Sequence, residues 1–244
     1  MGRENVFDMP HYQALNSARK KFLEDELKGL FESERLKTAI DVGCGTGYFS
    51  NYLEGLGLRV TGIDWREQNA AEAGHRYPKI EFRVGNVEDT GIRRLGRFDL
   101  VLCFGLLYHL ENPFQAVRNL QELTAKILLI ESMIVPGARP EAVLRSEPLA
   151  DDQGMHYIAF LPSEACLVKM LYLSGFPHVY KPITMPDHKD FRQTISCHRR
   201  RTILAAARRP IEIPIFKSVP EPNTHHNPWE KAGFLHARDP RRIS

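Results

Sequence analysis

The stretch Asp41-Val42-Gly43-Cys44-Gly45-Thr46-Gly47 decides the fold, because it joins a short apolar run to a helical one. Glycines at such a place let the backbone turn tightly and approach a ligand without a Cβ in the way. The helix that follows presents free N–H groups and a partial positive charge to the ligand. Asp64 ends the next apolar run, where a carboxylate can accept hydrogen bonds from both hydroxyls of a ribose. The loop and Asp64 together indicate recognition of an adenosine-containing cofactor.

The spacing of the glycines distinguishes between cofactors. Dinucleotide-binding folds favour GxGxxG, whereas residues 43–47 read GxGxG and Tyr48 stands where the third glycine would be. A P-loop is excluded, because no Gly-Lys-Ser/Thr ends the segment. Asp41 disfavours a pyrophosphate and is available to a cationic amine. The pattern therefore favours a cofactor other than a dinucleotide.

Apolar runs alternate with helical stretches around this loop. The runs predicted as strands are KTAIDV (37–42), LRVTGIDW (58–65), KIEFRV (79–84), FDLVLCF (98–104) and KILLIES (126–132). The stretches predicted as helices are 46–57, 66–76, 113–124 and 162–174, with one or two amphipathic helices within 11–36. This alternation implies crossover connections and a parallel sheet. HVYKPI and RRTILAAARR are predicted as the final strands, an antiparallel hairpin joined by residues 184–199.

At these residues the chain resembles the class I S-adenosylmethionine-dependent methyltransferases, whose first motif is similar to DVGCGTG. The resemblance extends over about residues 37–133, and more loosely to 209. It implies an α/β fold: a Rossmann-like, doubly wound, mainly parallel seven-stranded sheet with helices on both faces. The last strand would be inserted antiparallel. It also implies S-adenosyl-L-methionine as the cofactor.

The same resemblance implies roles for individual residues. The loop glycines would surround the amino acid part of the cofactor, Asp64 would bind the ribose, and Trp65 would lie near the adenine. Asn86 stands where the family contacts adenine, often with Asp, and the end of FDLVLCF would face the methyl group. The predicted cofactor-binding residues are Asp41, Gly43, Cys44, Gly45, Gly47, Asp64, Trp65, Asn86, Val87, Cys103 and Phe104.

The segment GLLYHLENP (105–113) carries the candidate for catalysis. It resembles the YHL segment of many small-molecule methyltransferases, and also that of the family that completes carboxymethylation of wobble uridine in transfer RNA. Because carboxyl ends of parallel strands line the ligand crevice, His109 can take a proton from a hydroxyl during methyl transfer. Alternatively, His109 only packs or bonds to backbone, and orientation alone supplies the rate. The predicted substrate residues are Tyr12, Tyr108 and His156, with Met155 and Tyr157 as further candidates.

The alternation of apolar and polar residues changes along the chain and predicts three parts. Residues 1–36 are predicted as an N-terminal helical cap, and residues 37–209 as the methyltransferase domain. Prolines and glycines interrupt the periodicity at 134–161, which is predicted as an insertion or lid over the sheet. Residues 210–244 hold six of the sixteen prolines and are predicted as an extended or partly disordered C-terminal extension.

The formal net charge of +3 is unevenly distributed. Residues 1–187 carry 21 Lys and Arg against 25 Asp and Glu, whereas residues 188–209 carry 7 against 1. A general nucleic-acid-binding composition is therefore not supported. The basic segment 188–209 is either a phosphate-binding patch for RNA or a phosphorylated substrate, or a solvated hairpin beside a sheet edge. We favour the second, because no aromatic residues are interleaved with the basic ones.

Four scattered cysteines without a CxxC pair predict no disulfide framework and a reducing cytoplasm. No metal is predicted, since the adjacent acids Asp151-Asp152 have no evident third ligand. No apolar stretch approaches the ~20 residues of a membrane helix, and no secretory signal opens the chain. No feature favours a particular oligomeric state.

Three functional hypotheses follow. The first is a methyltransferase acting on a small molecule by in-line displacement. The second is modification of transfer RNA, suggested by the YH segment and the basic segment. The third is a non-catalytic partner subunit that retains the cofactor-binding fold.

Overall fold

The protein is built around an eight-stranded sheet with helices on both faces. A computed structural model describes residues 5–148, 154–155, 157–195, 197–212 and 214–222. The strands are β1 (Thr38–Val42), β2 (Arg59–Asp64), β3 (Glu81–Val84), β4 (Phe98–Phe104), β5 (Thr124–Met133), β6 (Ala142–Ser146), β7 (Ile158–Pro162), β8 (His178–Pro182), β9 (Arg201–Ala207) and β10 (Phe216–Ser218). The α-helices are α1 (Pro10–Glu26), α2 (Lys28–Ser33), α3 (Tyr48–Gly55), α4 (Glu67–Arg76), α5 (Pro113–Leu123) and α6 (Glu164–Leu173).

The strand order of the large sheet is β10-β8-β9-β5-β4-β1-β2-β3. Strands β1 to β5 pair in parallel, and β9 is antiparallel to both of its neighbours, β5 and β8. This confirms the doubly wound, mainly parallel sheet with one inserted antiparallel strand. The predicted count of seven is one too low, because β10 pairs with the edge strand β8. Strand β10 has only three residues and lies in a proline-rich segment, so the sequence shows no alternation of apolar and polar residues that would indicate a strand there.

Strand β4 shows how the sheet buries both faces. Leu100, Leu102 and Phe104 belong to a core with apolar side chains of α1, α2 and α3, whereas Val101 and Cys103 belong to one with those of α5 and α6. Successive side chains of a strand point to opposite faces, so a strand covered on both sides is apolar throughout. The sequence FDLVLCF reflects this double burial.

Strands β6 and β7 form a separate two-stranded antiparallel ribbon. It lies between β5 and α6 in the chain, within the segment predicted as an insertion. Every residue of β6 is exposed, whereas β7 is mostly buried or half-buried. Asp151 and Asp152 lie outside the described residues. No helix in the described part of the chain has the length and apolar character needed to cross a bilayer.

Asp41 is a buried carboxyl group that joins β1 to α3. The Ser50 hydroxyl donates a hydrogen bond of 2.7 Å to its Oδ2, and the residue is 2% exposed. Burial raises the pKa of Asp41 from its ordinary 3.8 to about 7, because surroundings of low polarity disfavour the charged form. The hydrogen bonds from Ser50 offset only part of this effect.

Gly62 is required by the packing between two neighbouring strands. It lies opposite Phe82 in the β2–β3 register, and a Cβ there would come within 2.5 Å of the Phe82 ring. We predict that Gly62→Ala lowers the free energy of unfolding by about 1–3 kcal/mol, the usual cost of overpacking. Urea unfolding measures the change.

Gly74→Ala is the matched control, because nothing lies within 4 Å of a Cβ built on this residue of α4. Alanine is the better helix former by roughly 0.5–1 kcal/mol, so this variant should be as stable as the parent or slightly more. Equal effects at the two positions would contradict the packing described for Gly62.

The raised pKa of Asp41 predicts a component of stability that falls as pH rises. Between about pH 4 and 7 the folded state keeps this proton while the unfolded state releases it, so deprotonation favours unfolding. In Asp41→Asn the amide oxygen can still accept from Ser50, and this component is absent. The free energy of unfolding of wild type minus that of the variant should decrease from about pH 4 to about pH 7. Parallel pH profiles for the two proteins would refute the prediction.

Candidate functional site

A cavity of about 450 Å³ lies at the carboxyl ends of the parallel strands. Strand β1 leads into the glycine loop, β2 ends at Asp64 and β4 ends at Phe104, and all three line it. Strand β9 runs the other way, so its first residue, Arg201, reaches the same edge. Helix α1 adds Tyr12 and Arg19. Ligand sites of open α/β sheets form at this edge.

The glycine loop approaches the cavity with its backbone. Gly43 and Gly45 have φ angles of +75° and +52°, which residues other than glycine rarely adopt. A Cβ at Gly43 would lie 2.9 Å from Leu106, and one at Gly45 would lie 3.3 Å from the Phe7 ring. The loop is fixed because the N–H of Gly43 donates to the Ile63 carbonyl over 2.8 Å. Larger residues would therefore fill or distort this end of the cavity.

The Asp64 carboxylate is held in place by three donors. Its Oδ2 accepts from the Gly45 N–H at 2.9 Å. Its Oδ1 accepts from the Arg66 N–H at 2.9 Å and from Asn69 Nδ2 at 3.0 Å. The carboxylate is thus oriented at the cavity wall before any ligand binds.

Most of the other residues predicted to bind the cofactor line the same cavity: Cys44, Trp65, Asn86, Val87 and Phe104. Trp65 is 36% exposed, so part of its indole is open to contact. The Asn86 Oδ1 accepts from the Glu88 N–H at 2.9 Å, which orients its amide.

Three predicted cofactor residues do not line the cavity. The Asp41 carboxylate accepts a hydrogen bond from Ser50 of α3, so its predicted contact with a cationic amine stays a prediction. Gly47 (φ +86°) lies against the Tyr77 and Phe82 rings, where a Cβ would come within 3.0 Å of both. Cys103 is fully buried in the α5 and α6 core, because alternation along β4 sends it away from the face of Phe104.

Neither cysteine near the site is set up as a nucleophile. Burial raises the pKa of the Cys44 and Cys103 thiols well above the ordinary value. A thiol of raised pKa stays protonated at neutral pH, and the thiolate is the reactive form. All four cysteines of the chain are free.

Only some of the predicted substrate residues line the cavity. Tyr12, Tyr108 and Met155 line the cavity. Tyr157 does not, and its side chain is half exposed on the ribbon. His156 lies outside the described residues.

His109 lines the cavity and is paired with a carboxylate that no sequence pattern indicates. Its Nδ1 lies 2.8 Å from Oε1 and 3.0 Å from Oε2 of Glu147. The same Oε2 accepts from the Gly154 N–H at 2.8 Å. Glu147 follows directly after β6 in the proline-rich segment, where no periodicity marks it.

A buried cluster of charges lies beside His109. Arg19 donates to Glu131 Oε2 at 2.5 Å, and Arg201 donates to Glu131 Oε1 at 3.0 Å. Arg201 also donates to the Tyr108 hydroxyl at 3.2 Å, and its Nε lies 3.6 Å from Asp190. Glu131 is 0% exposed, and buried charges persist only when they are paired in this way.

Two members of this cluster are recognisable in the sequence as charged residues within apolar strands. Glu131 interrupts the apolar run KILLIES, and Arg201 opens the otherwise apolar RTILAAA. A charge inside a strand that is buried on both faces indicates a buried partner. Arg19 had no comparable signal, because the charged helix around it hides one buried arginine.

Several arginines of the basic segment 188–209 form ion pairs within the protein. Arg199 bonds to Glu164, Arg192 lies 2.5 Å from Asp187, and Arg201 belongs to the buried cluster. The expectation of a solvated hairpin at a sheet edge is therefore wrong for Arg201, because β9 lies inside the sheet.

Metal-ligating side chains do not converge in the part of the chain that the structure describes. No three His, Cys, Asp or Glu residues group there in a position to hold an ion. The cavity is a polar site, lined by His109, two carboxylates (Asp8 and Asp64) and four arginines (Arg19, Arg66, Arg76 and Arg201).

Residues 40–126 match the family described as a methyltransferase domain. The chain is 32% identical over 151 residues to a transfer RNA U34 carboxymethyltransferase of Actinobacillus succinogenes, covering 59% of this chain and 46% of that protein. It is 33% identical over 112 residues to a ubiquinone biosynthesis O-methyltransferase of Bordetella avium, covering 43% and 44%. It thus spans less than half the length of either relative.

A solved structure has the same fold. It is the magnesium protoporphyrin IX methyltransferase of Synechocystis PCC 6803 with bound S-adenosylmethionine, at a TM-score of 0.55 and 19% identity, covering 86% of each chain. The domain match, the two relatives and the fold agree with one another. Residues 40–126 therefore match a methyltransferase domain, within a chain whose fold is that of a solved S-adenosylmethionine-dependent methyltransferase.

Proposed function

We propose that this protein transfers a methyl group from S-adenosyl-L-methionine to a small-molecule acceptor. One observation carries the proposal: a single cavity joins the glycine loop and Asp64 to His109. The first two suit an adenosine cofactor, and the third can accept a proton. A purely structural strand–helix turn would not need a histidine and four arginines around the same cavity.

The cofactor end of the cavity fits S-adenosylmethionine. We assign the glycine loop to its amino acid part, Asp64 to its ribose, and Trp65 and Asn86 to its adenine. Three donors engage the Asp64 carboxylate, which offers about four acceptor sites, so about one site remains for a ribose hydroxyl unless a donor of the protein is displaced. When bound, this cofactor supplies a methyl group on a positively charged sulfur.

Several observations support a small-molecule acceptor. The cavity volume of about 450 Å³ lies in the roughly 300–1,000 Å³ range of small-ligand sites, and the cofactor takes part of it, so the space left for an acceptor is small. Phe7 and Tyr12 near the N-terminus and Met155 near the ribbon narrow it. One relative is named for O-methylation in ubiquinone biosynthesis.

The protein's own residues orient the reactants and exclude water. Helix α1 and residues of the 134–161 segment border the cavity, which supports our division into a cap (1–36), a domain (37–209) and an inserted segment. Positioning of two bound reactants can supply much of the rate of an in-line displacement. His109 adds a proton acceptor at the acceptor end.

Asp64→Ala tests the cofactor assignment. We predict that it weakens binding of S-adenosylmethionine by at least about tenfold, which corresponds to ~1.4 kcal/mol, because charge-assisted hydrogen bonds to the ribose are lost. Isothermal titration calorimetry gives the affinity. Asp25→Ala, an exposed carboxylate of α1 paired with Lys21, is the control and should bind as wild type does. Equal affinities for all three proteins would exclude the ribose assignment.

Modification of transfer RNA is the second candidate, favoured by the relative named as a transfer RNA U34 carboxymethyltransferase. Internal pairing of Arg192, Arg199 and Arg201 argues against it, because such charges are less available to phosphates. We predict weak binding of unmodified transfer RNA at low salt, unchanged in Arg200→Ala. Filter binding at several salt concentrations measures it. Tight, steeply salt-dependent binding that Arg200→Ala weakens would favour the RNA substrate instead.

A non-catalytic partner subunit is the remaining alternative. Release of S-adenosylhomocysteine with any acceptor would exclude it. The intact glycine loop and the paired His109 both favour catalysis over this reading.

A further inference from the structure

His109 and Glu147 form a pair whose geometry restricts the histidine. Both Glu147 oxygens lie within 3.0 Å of Nδ1, and the side chains are only 14% and 7% exposed. Gly154 bonds to the same carboxylate through its N–H, so Glu147 is itself held. A Cβ on Gly154 would lie 2.4 Å from the His109 carbonyl, which shows how closely the two segments approach.

The pair determines which ring nitrogen carries the hydrogen. An ionised carboxylate only accepts hydrogen bonds, so Nδ1 must donate. A neutral imidazole then has its lone pair on Nε2. Within the described part of the chain no hydrogen bond engages Nε2, and His109 is one of the residues that line the cavity. The arrangement therefore leaves a proton acceptor for a bound molecule.

We infer that Glu147 is a positioning residue that holds the hydrogen of the neutral His109 ring on Nδ1, so that Nε2 carries the lone pair, and that the acceptor of this site presents a hydroxyl group to Nε2. This inference rests on the proposed function. The hydroxyl oxygen forms the new bond to the methyl carbon with the electron pair of its O–H bond. The carbon–sulfur bond breaks with its pair left on sulfur, and the proton goes to Nε2. His109 returns that proton to solvent after product leaves.

Methylation of an amine would depend less on a proton acceptor such as the His109–Glu147 pair. A neutral amine attacks through an existing lone pair and can lose its proton after transfer, whereas a hydroxyl is a weak nucleophile until its proton is taken. A carboxylate that fixes the tautomer of a histidine is thus the feature expected for O-methylation. The cavity places this pair beside Tyr108, whose ring centre lies 4.1 Å from that of His109.

The test measures the tautomer directly by ¹⁵N NMR of histidine-labelled full-length protein. His109→Gln assigns the signal among the ten histidines. In wild type we expect the Nε2-unprotonated form to exceed the other by at least about tenfold, a ratio equivalent to ~1.4 kcal/mol. In Glu147→Gln, which keeps the side-chain length, this ratio should fall several-fold. Glu141→Gln, an exposed glutamate just before the ribbon, is the matched control and should leave it unchanged.

Phenol and anisole then test the acceptor class, since they differ by the donor hydroxyl. Phenol should shift the Nε2 resonance of wild type, and anisole should not. The phenol shift should be reduced in Glu147→Gln. Titrations are run with and without S-adenosylhomocysteine, and backbone amide spectra verify that each variant is folded.

Each outcome decides one claim. A proton on Nε2 in wild type, or an unchanged tautomer in folded Glu147→Gln, overturns the positioning role. Equal shifts from phenol and anisole, or none from phenol, overturn the hydroxyl acceptor. Failure of the proposed function is seen separately, as absence of S-adenosylmethionine binding, because the tautomer is measured without the cofactor.

Discussion

The pairing of one buried carboxylate with two arginines holds the acceptor end of this protein together. Glu131, on the central strand β5, bonds to Arg19 of α1 and to Arg201 of β9. Breaking a buried ion pair on one side typically costs about 3–5 kcal/mol, because the remaining charge is left unpaired in surroundings of low polarity. Helix α1 and strand β9 cannot move apart without this cost, so the cavity between them keeps its shape.

The same cluster extends to the turn that carries His109. Arg201 donates to the Tyr108 hydroxyl, and the next residue is His109, which Glu147 holds from the ribbon side. Elements distant in the sequence thus converge on one imidazole through direct contacts. At the other end of the cavity the constraint is steric. Gly43 and Gly45 have no side chain, and a Cβ at either position would contact Leu106 or Phe7 closely and take up space in the cavity. One end allows close approach to the backbone, and the other carries charged side chains and His109.

Local patterns explain what could be predicted from the sequence. The glycine loop, Asp64 and the alternating strands and helices depend on neighbouring residues, so their order predicts the doubly wound sheet. Glu147 and Arg19 could not be found this way, because their partners are distant in the chain and their own neighbourhoods are polar or irregular. Asp41 shows a different limit. Motif spacing places it beside the loop, but only packing shows that it faces Ser50 instead of the cavity.

We propose that this cavity selects S-adenosylmethionine over a dinucleotide. Calorimetric titration of the wild-type protein with S-adenosylmethionine and with NADH tests it most directly. We expect one equivalent of S-adenosylmethionine to bind per chain and to be displaced by S-adenosylhomocysteine, and we expect no binding of NADH. Binding of NADH at the same site, or no binding of S-adenosylmethionine, would contradict it.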